Sequence, residues 1–380
     1  MAAIDGFADA GFGRVRDVFV ENFEQRGDLG AACSVYHQGR KVVDLWGGIA
    51  IKDTGQPWVE NTLMRTASST KGISAICANL LIQQGRMDPE ATVASYWPEF
   101  KANGKESVLV KWALSHQAGV PVVDHLFTKE EVFAWDPVVD AIAAAKPVWV
   151  PGEEHGYHGQ SYGYIVGELV RRISGQTIGT YLQKEIAEPL GVEVFIGLPD
   201  KHMDRVAHNL YAYLQPQPEG QKPVVPAAPP RMSEFIPAVF MFSHLNPDYT
   251  TPEWLRIEMP AANGVCTARD LAKLYASLVS EVDGHRLYTD ATVARATRQE
   301  TKDGAIDRVI LVPNRYGLGF SLYTPDSAML GPTSFGHGGA GGIMAFADAE
   351  HEVGFAFGCN IMGDFERANA LVNALRACLS

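Results

Sequence analysis

The sequence predicts a mixed α/β fold of the α+β type: an antiparallel sheet assembled from both ends of the chain, flanked by helices, with a helical lobe inserted between. Three observations carry this reading. Near the N-terminus, Gly30 to His37 and Lys41 to Trp46 read as strands joined across Gln38-Gly39. Near the C-terminus, Gly342 to Asp348 and Val353 to Asn360 repeat the hairpin pattern around Glu350-His351. Most periodic segments between them follow a helical spacing. The expected division is a mixed lobe from residues 1–70 and 262–380, and a mainly helical lobe from residues 71–261.

Taken in order, Val15, Val18, Phe19 and Phe23 mark an amphipathic helix, so the chain is expected to open with a helix and a hairpin. From Ser68 onward, Ile73, Ile76, Cys77, Leu80 and Leu81 recur at the spacing of one buried helical face, and Gly85 followed by Asp88-Pro89 ends it. Ser161 to Ile173, Ile178 to Leu190 and Ala268 to Leu278 are the clearest later helices, and Ala368 to Leu379 closes the chain. Leu214 to Pro237 carries seven prolines, including the pair Pro229-Pro230, which excludes regular helix and central strand. Residues 214–237 are either a flap over a cleft or a surface crossover.

With 380 residues, 46% hydrophobic and 20% charged, the chain can bury a sizeable core. Its net charge of −12, without any basic run, makes nucleic acid and anionic membrane poor partners. MAAIDGFADAGFGRV has neither a basic leader nor a continuous apolar stretch, and no segment has the length to cross a bilayer, so a cytoplasmic location is expected. The five cysteines, Cys33, Cys77, Cys266, Cys359 and Cys378, are scattered among apolar or small residues and read as buried or half-buried thiols. Nothing in the pattern signals an oligomeric state.

Chemistry enters at Ala67-Ser-Ser-Thr-Lys71. Ser68 and Lys71 stand one turn apart at a helix head, where the amine eases deprotonation of the hydroxyl and the helix N-terminus favours negative charge. At helical spacing both sit off the apolar stripe, facing a cleft or water. A nucleophilic serine needs a base and an oxyanion hole. Two clusters offer them: Pro151-Gly-Glu-Glu-His-Gly-Tyr157-His158-Gly159, and Gly336-His337-Gly338-Gly339-Ala340-Gly341-Gly342, a glycine-rich run leading into a strand.

Ser-x-x-Lys, then Pro-Gly and Tyr, then His-x-Gly, in this order along the chain, resemble the class C β-lactamase superfamily, and within it the family VIII carboxylesterases. Leu114-Ser-His-Gln-Ala-Gly119 and Thr267-Ala-Arg-Asp-Leu-Ala272 extend the resemblance nearly end to end. It implies a β-lactamase-like fold and hydrolysis of short-chain carboxylic esters through an acyl-enzyme, without metal or cofactor, on a small-molecule ester substrate. Ser68 would be acylated; Lys71 would hold Tyr157 as phenolate or share its proton, and Tyr157 would act as base and return the proton to the leaving alcohol. The N–H groups of Ser68 and Ala340 would form the oxyanion hole. His337, Gly338 and Gly339 stand where the family has Lys-Thr-Gly, and would line the substrate site. Val123 stands where lactam-cleaving relatives carry a Gln that reaches the acyl amide, and Gly159 where they carry an Asn.

β-Lactamase or D-amino-acid peptidase activity is the alternative within enzymes, and a catalytically silent ligand-binding or sensor protein the alternative outside them. Gly159-Gln-Ser161-Tyr-Gly163 matches the Gly-x-Ser-x-Gly elbow, but no buried strand precedes it, so Ser161 is expected to be a helix N-cap. His155 and His158 with Glu153 and Glu154 lie on a glycine-containing loop and lack the helical spacing of zinc hydrolases, so they read as lining residues.

Overall fold

The computed structural model describes residues 3–211, 233 and 235–380. Its principal sheet is antiparallel and runs β1 (Ile4–Ala8), β3 (Arg40–Ile51), β2 (Gly30–His37), β7 (Val353–Cys359), β6 (Ile343–Asp348), β5 (Ser334–Gly339) and β4 (Ser321–Leu322), with Gln56–Pro57 pairing to β3. The two ends of the chain meet where β2 pairs β7, from Ala31 opposite Cys359 to His37 opposite Val353.

Both faces of the sheet are covered, which explains why β2 is buried along almost its whole length. Its Ala31, Cys33 and Val35 pack with Val15, Val18 and Phe19 of α1 (Gly13–Gln25) and Leu371 and Leu375 of α5 (Glu366–Leu379). Ala32 and Tyr36, on the other face, join a larger core with α2 (Thr70–Gln83), α3 (Ser161–Ser174) and α4 (Ala268–Val279). The period-2 alternation of a strand thus feeds two cores at once.

Three expectations need correction. The chain opens with β1, not with a helix; Asp5, Gly6 and Phe7 are exposed on this edge strand, so it has no alternation to read. The glycine-rich run leads into a strand as expected, β6, through the turn Ala340 to Gly342, and its first part, Gly336 to Gly339, is itself the end of β5. The helix expected over Ile178 to Leu190 changes to a π turn at Gln183–Ala187 before Glu188–Leu190, a shift that accommodates Pro189, which has no N–H to give. Finally, Thr70 to Leu81 of α2 are buried on every side, so Lys71 faces neither water nor an open groove.

A small sheet anchors the head of α2. Val265–Cys266 pairs with Met64–Arg65 and with Val194–Phe195, and Met64–Arg65 runs directly into the turn before Ser68. Most of the proline-rich segment 214–237 lies outside the described residues; Ile236–Val239 forms a short helical turn at its end. Among the described residues no helix is long and apolar enough to cross a membrane. All five cysteines are free thiols, four of them buried and Cys378 half-buried.

Candidate active site

Ser68 is the second residue of a 3-10 turn, Ala67–Ser69, that continues into α2. At that position its N–H has no partner within the helix and is free for a ligand. Ala67, just before it, is buried and takes a left-handed φ of 45°, a strained conformation for a residue with a side chain. A hydroxyl network holds it there: Thr70 Oγ1 donates to the Ala67 carbonyl at 2.5 Å and accepts from Gly264 N–H at 2.8 Å, while Thr66 Oγ1 donates to the Gly264 carbonyl at 3.0 Å. The strain points Ser68 out of the helix head and into a cleft.

Lys71 reaches Ser68 Oγ at 3.4 Å and the Ala261 carbonyl at 3.1 Å, and its ammonium nitrogen lies 4.6 Å from the centre of the Tyr157 ring. It is wholly buried, with no carboxylate among these contacts, and burial holds its pKa well below the usual lysine value. Burial thus shifts the balance toward the neutral amine, which has a lone pair to offer. Tyr157 is half-buried; desolvation of its phenol pushes the pKa up, opposed by a hydrogen bond with Ser68, and the negative charge of Asp307 adds to the rise. Serine, lysine and tyrosine thus form one contact unit in which burial disfavours both the ammonium and the phenolate.

Four imidazoles surround this unit. His116, from the Leu114 to Gly119 run, packs 5.3 Å from the Tyr157 ring and accepts from His158 N–H at 3.1 Å through Nδ1. His158 Nε2 accepts from Val120 N–H at 3.1 Å, which leaves Nδ1 to donate to the Gly156 carbonyl at 2.7 Å. His337 Nδ1 donates to the Gly338 carbonyl at 2.6 Å, so its buried Nε2 carries the lone pair, without a partner. Burial, with Lys71 adding to it, pushes His337 down to about 3; burial also pushes His158 down to about 4 and His116 well below its usual value. His155 is likewise lowered by burial. All four are neutral near pH 7.

The strand β5 closes the other side. Ser69 Oγ donates to the His337 carbonyl at 2.9 Å, and a Cβ on Gly339 would stand 2.4 Å from the Thr66 carbonyl, so only glycine lets the strand approach the turn carrying Ser68. Ser68, Tyr157, His337, Gly338, Gly339 and Ala340 line one cleft of about 850 Å³. Its remaining walls are mostly apolar, including Phe240, Ile310, Val312, Leu322, Met329, Met344 and Phe365.

Of the residues singled out from sequence, Val123 is not brought to this cleft: it packs against the larger core and lines a separate hollow with Asp124 and His125. Phe242, Trp254 and Val120 are core residues, and of the aromatics near the proline-rich segment Phe240 is the one that reaches the cleft. Ser161 is buried and donates to the Val120 carbonyl at 2.8 Å; the N-cap of α3 is Gln160, so the capping expectation is corrected. Among the described residues no group of three or more His, Cys, Asp or Glu is placed to hold a metal ion. Sequence reasoning missed Asp307, which accepts from Tyr157 N–H at 3.0 Å across a long sequence separation, and the Ala261 carbonyl. An Asp before Val309 and Ile310 hints at a side-chain-capped turn, but nothing local points it at Tyr157.

Residues 15–378 match the family described as Beta-lactamase. The chain is 32% identical to an Esterase/beta-lactamase, LipL, of Mycobacterium tuberculosis over 359 residues, which covers 92% of this chain and 81% of that protein. Among solved structures it is similar to a family VIII carboxylesterase, with 33% identity, a TM-score of 0.87 and coverage of 99% of this chain and 100% of that one. It is also similar to a penicillin-binding protein homologue from Caulobacter crescentus, with 36% identity, a TM-score of 0.87 and coverage of 99% and 100%. A serine at the head of a buried helix, a lysine one turn on, and a closing strand held against both are thus set in a fold shared end to end with these proteins, and the chain belongs to the beta-lactamase family of serine hydrolases.

Proposed function

We propose that the protein is a serine carboxylesterase that hydrolyses short-chain carboxylic esters through an acyl-enzyme on Ser68, without metal or cofactor. The observation that carries this reading is a fully buried Lys71 within 3.4 Å of Ser68 Oγ, under the ring of Tyr157, where burial disfavours its charged form. Because burial disfavours both the ammonium and the phenolate, the unit works by sharing a proton, not by storing a charge. As Ser68 Oγ attacks the ester carbonyl, its proton passes to Tyr157 while the phenol proton moves toward Lys71. The N–H groups of Ser68 and Ala340 receive the oxyanion. Tyr157 then returns a proton to the leaving alcohol, and the same unit deprotonates the water that releases the acid. The esterases among the similar proteins support this reading, as does the apolar cleft.

A lactamase activity has one observation in its favour, the name Esterase/beta-lactamase carried by the relative in Mycobacterium tuberculosis. Against it stands His337, whose neutral ring and inward lone pair give a substrate carboxylate neither charge nor donor. Each lost contact to a charged group is worth about 1–3 kcal/mol, so ester turnover is expected to exceed lactam turnover at least about a hundredfold in kcat/KM. p-Nitrophenyl esters of graded acyl length and a chromogenic cephalosporin, assayed on one preparation, test this. A lactam value equal to the best ester would overturn it; no turnover of either would favour the silent binder.

The division into lobes 1–70 with 262–380 and 71–261, and a cytoplasmic location, belong to the same proposal. Five free thiols support a reducing compartment, and a fluorophosphonate label recovered from the extracellular fraction would refute it.

A further inference from the structure

Beneath Tyr157 lies a carboxylate that the reaction as written does not use. Asp307 is fully buried, and its Oδ1 accepts from three backbone N–H groups: Tyr157 at 3.0 Å, Val309 at 2.8 Å and Ile310 at 3.0 Å. One oxygen therefore joins two segments far apart in sequence, the loop that carries Tyr157 and the stretch whose Ile310, Val312 and Pro313 form a wall of the cleft. The two segments are tied again where Arg308 N–H donates to the His155 carbonyl at 3.0 Å and the Arg308 guanidinium meets Glu154 at 2.7 Å. The other oxygen, Oδ2, is buried with no partner, as is His155 Nε2, although the two side chains interact electrostatically. An unpaired oxygen on a buried carboxylate is costly, and a neutral Asn or Ser would meet the backbone donors at lower cost. Burial raises the Asp307 pKa, the three N–H groups and His155 oppose the rise, and a carboxylate held there needs a reason.

We propose that Asp307 is a positioning residue for Tyr157: its Oδ1 fixes the tyrosine main chain against the cleft wall, and its buried negative charge keeps the phenol proton in place until Ser68 reacts. This rests on Tyr157 being part of the proton-transfer unit. The charge acts at close range in a dry surrounding, where it is weakly screened. The groups facing it are His155 and Tyr157 on one loop and Tyr316 on the other side; Ser68, Lys71, His116 and His337 face Tyr157 beyond. Lys71 becomes cationic when it gains the proton from the reacting groups, so the charge also favours the proton's arrival there. Removing a negative charge lowers the pKa of each neighbour, whichever of them governs activity. The sign of the effect is therefore fixed in advance.

Asp307→Asn keeps an oxygen for the three N–H groups and removes the charge; Asp307→Ala removes both. The pH profile of kcat/KM on a p-nitrophenyl ester, with kcat and KM separated, reads the two roles. For Asp307→Asn the acid limb should move to lower pH by about half a unit or more, with activity at the optimum within about tenfold of the parent. For Asp307→Ala kcat should fall about a hundredfold or more with KM little changed, because a misplaced base hurts the transition state more than binding. If Asp307→Ala fails to fold, the Asn profile alone decides. An Asn profile superimposable on the parent, or an acid limb moved to higher pH, overturns the proposal. Tyr157→Phe separates the two ideas: if it is fully active, the proton-transfer reading falls and this one with it; if it is inactive while both Asp307 variants behave as the parent, only this one falls.

Discussion

Lys71 and Tyr157 act in this account as one unit, because neither the ammonium nor the phenolate is favoured where they sit. Losing either should cost roughly 10²–10⁴-fold in kcat/KM on an ester, and losing both little more than losing one. A double-mutant cycle with Lys71→Ala and Tyr157→Phe measures this; additive losses would mean separate tasks. Serine, lysine and tyrosine were all nameable from sequence, since local spacing and ordered motifs carry them. Their protonation was not, because the burial that lowers the Lys71 pKa comes from Ala261 and the packing around α2, far away in the chain. Asp307 was invisible for the same reason: its partner Tyr157 is distant in sequence and the bond is to main chain. Val123 shows the converse. A motif position was legible, but the loop carries that side chain into a different hollow.

At the scale of elements, α2 must be narrow where it meets α4. A Cβ on Gly72 would lie 2.0 Å from the Tyr275 hydroxyl, a buried oxygen with no hydrogen-bond partner. Gly72→Ala should therefore destabilise by about 1–3 kcal/mol, because the overlap outweighs the roughly 1 kcal/mol that alanine gains over glycine in a helix. Tyr275→Phe removes the unpaired hydroxyl and should be neutral or stabilising. With both changes the nearest ring atom lies at 3.3 Å, so most of the overlap is relieved and the double variant should be close to the parent in urea unfolding, and more stable than Gly72→Ala alone. Equal losses with and without the hydroxyl would refute this packing. The strands β2, β6 and β7 and the helices α1, α3, α4 and α5 were readable because their periodicity matches their burial. The edge strand β1 was not, since it is largely exposed, and the glycine-rich β5, with few side chains to alternate, was legible through the family resemblance alone.

For the whole molecule, the imidazoles set how stability responds to acid. His158 and His337, held at about 4 and about 3 when folded, take up protons near 6.5 once unfolded. Their folded pKa values are depressed, so the stability they give is full above pH 6.5 and is lost as the pH falls toward 4 and then 3. Each contributes on the order of a few kcal/mol, with His116 and His155 acting in the same direction. Asp28, raised by burial to about 6, pulls the other way below that pH, as do Glu258, Asp270 and Asp307, which burial also raises, while His37 and His202, lowered like the other rings, add to the loss. Thermal unfolding should thus show Tm falling steadily from pH 6.5 to pH 4, before most surface carboxylates protonate. A flat Tm over that range would mean that the rings are not buried neutral in solution.

The central claim is that an ester acylates Ser68. The protein, incubated with a fluorophosphonate and digested, should yield one modified peptide with the adduct on Ser68. Lys71→Ala should slow the labelling sharply, and Ser161→Ala should leave it unchanged. An adduct on Ser161, or undiminished ester turnover by Ser68→Ala, would contradict the account.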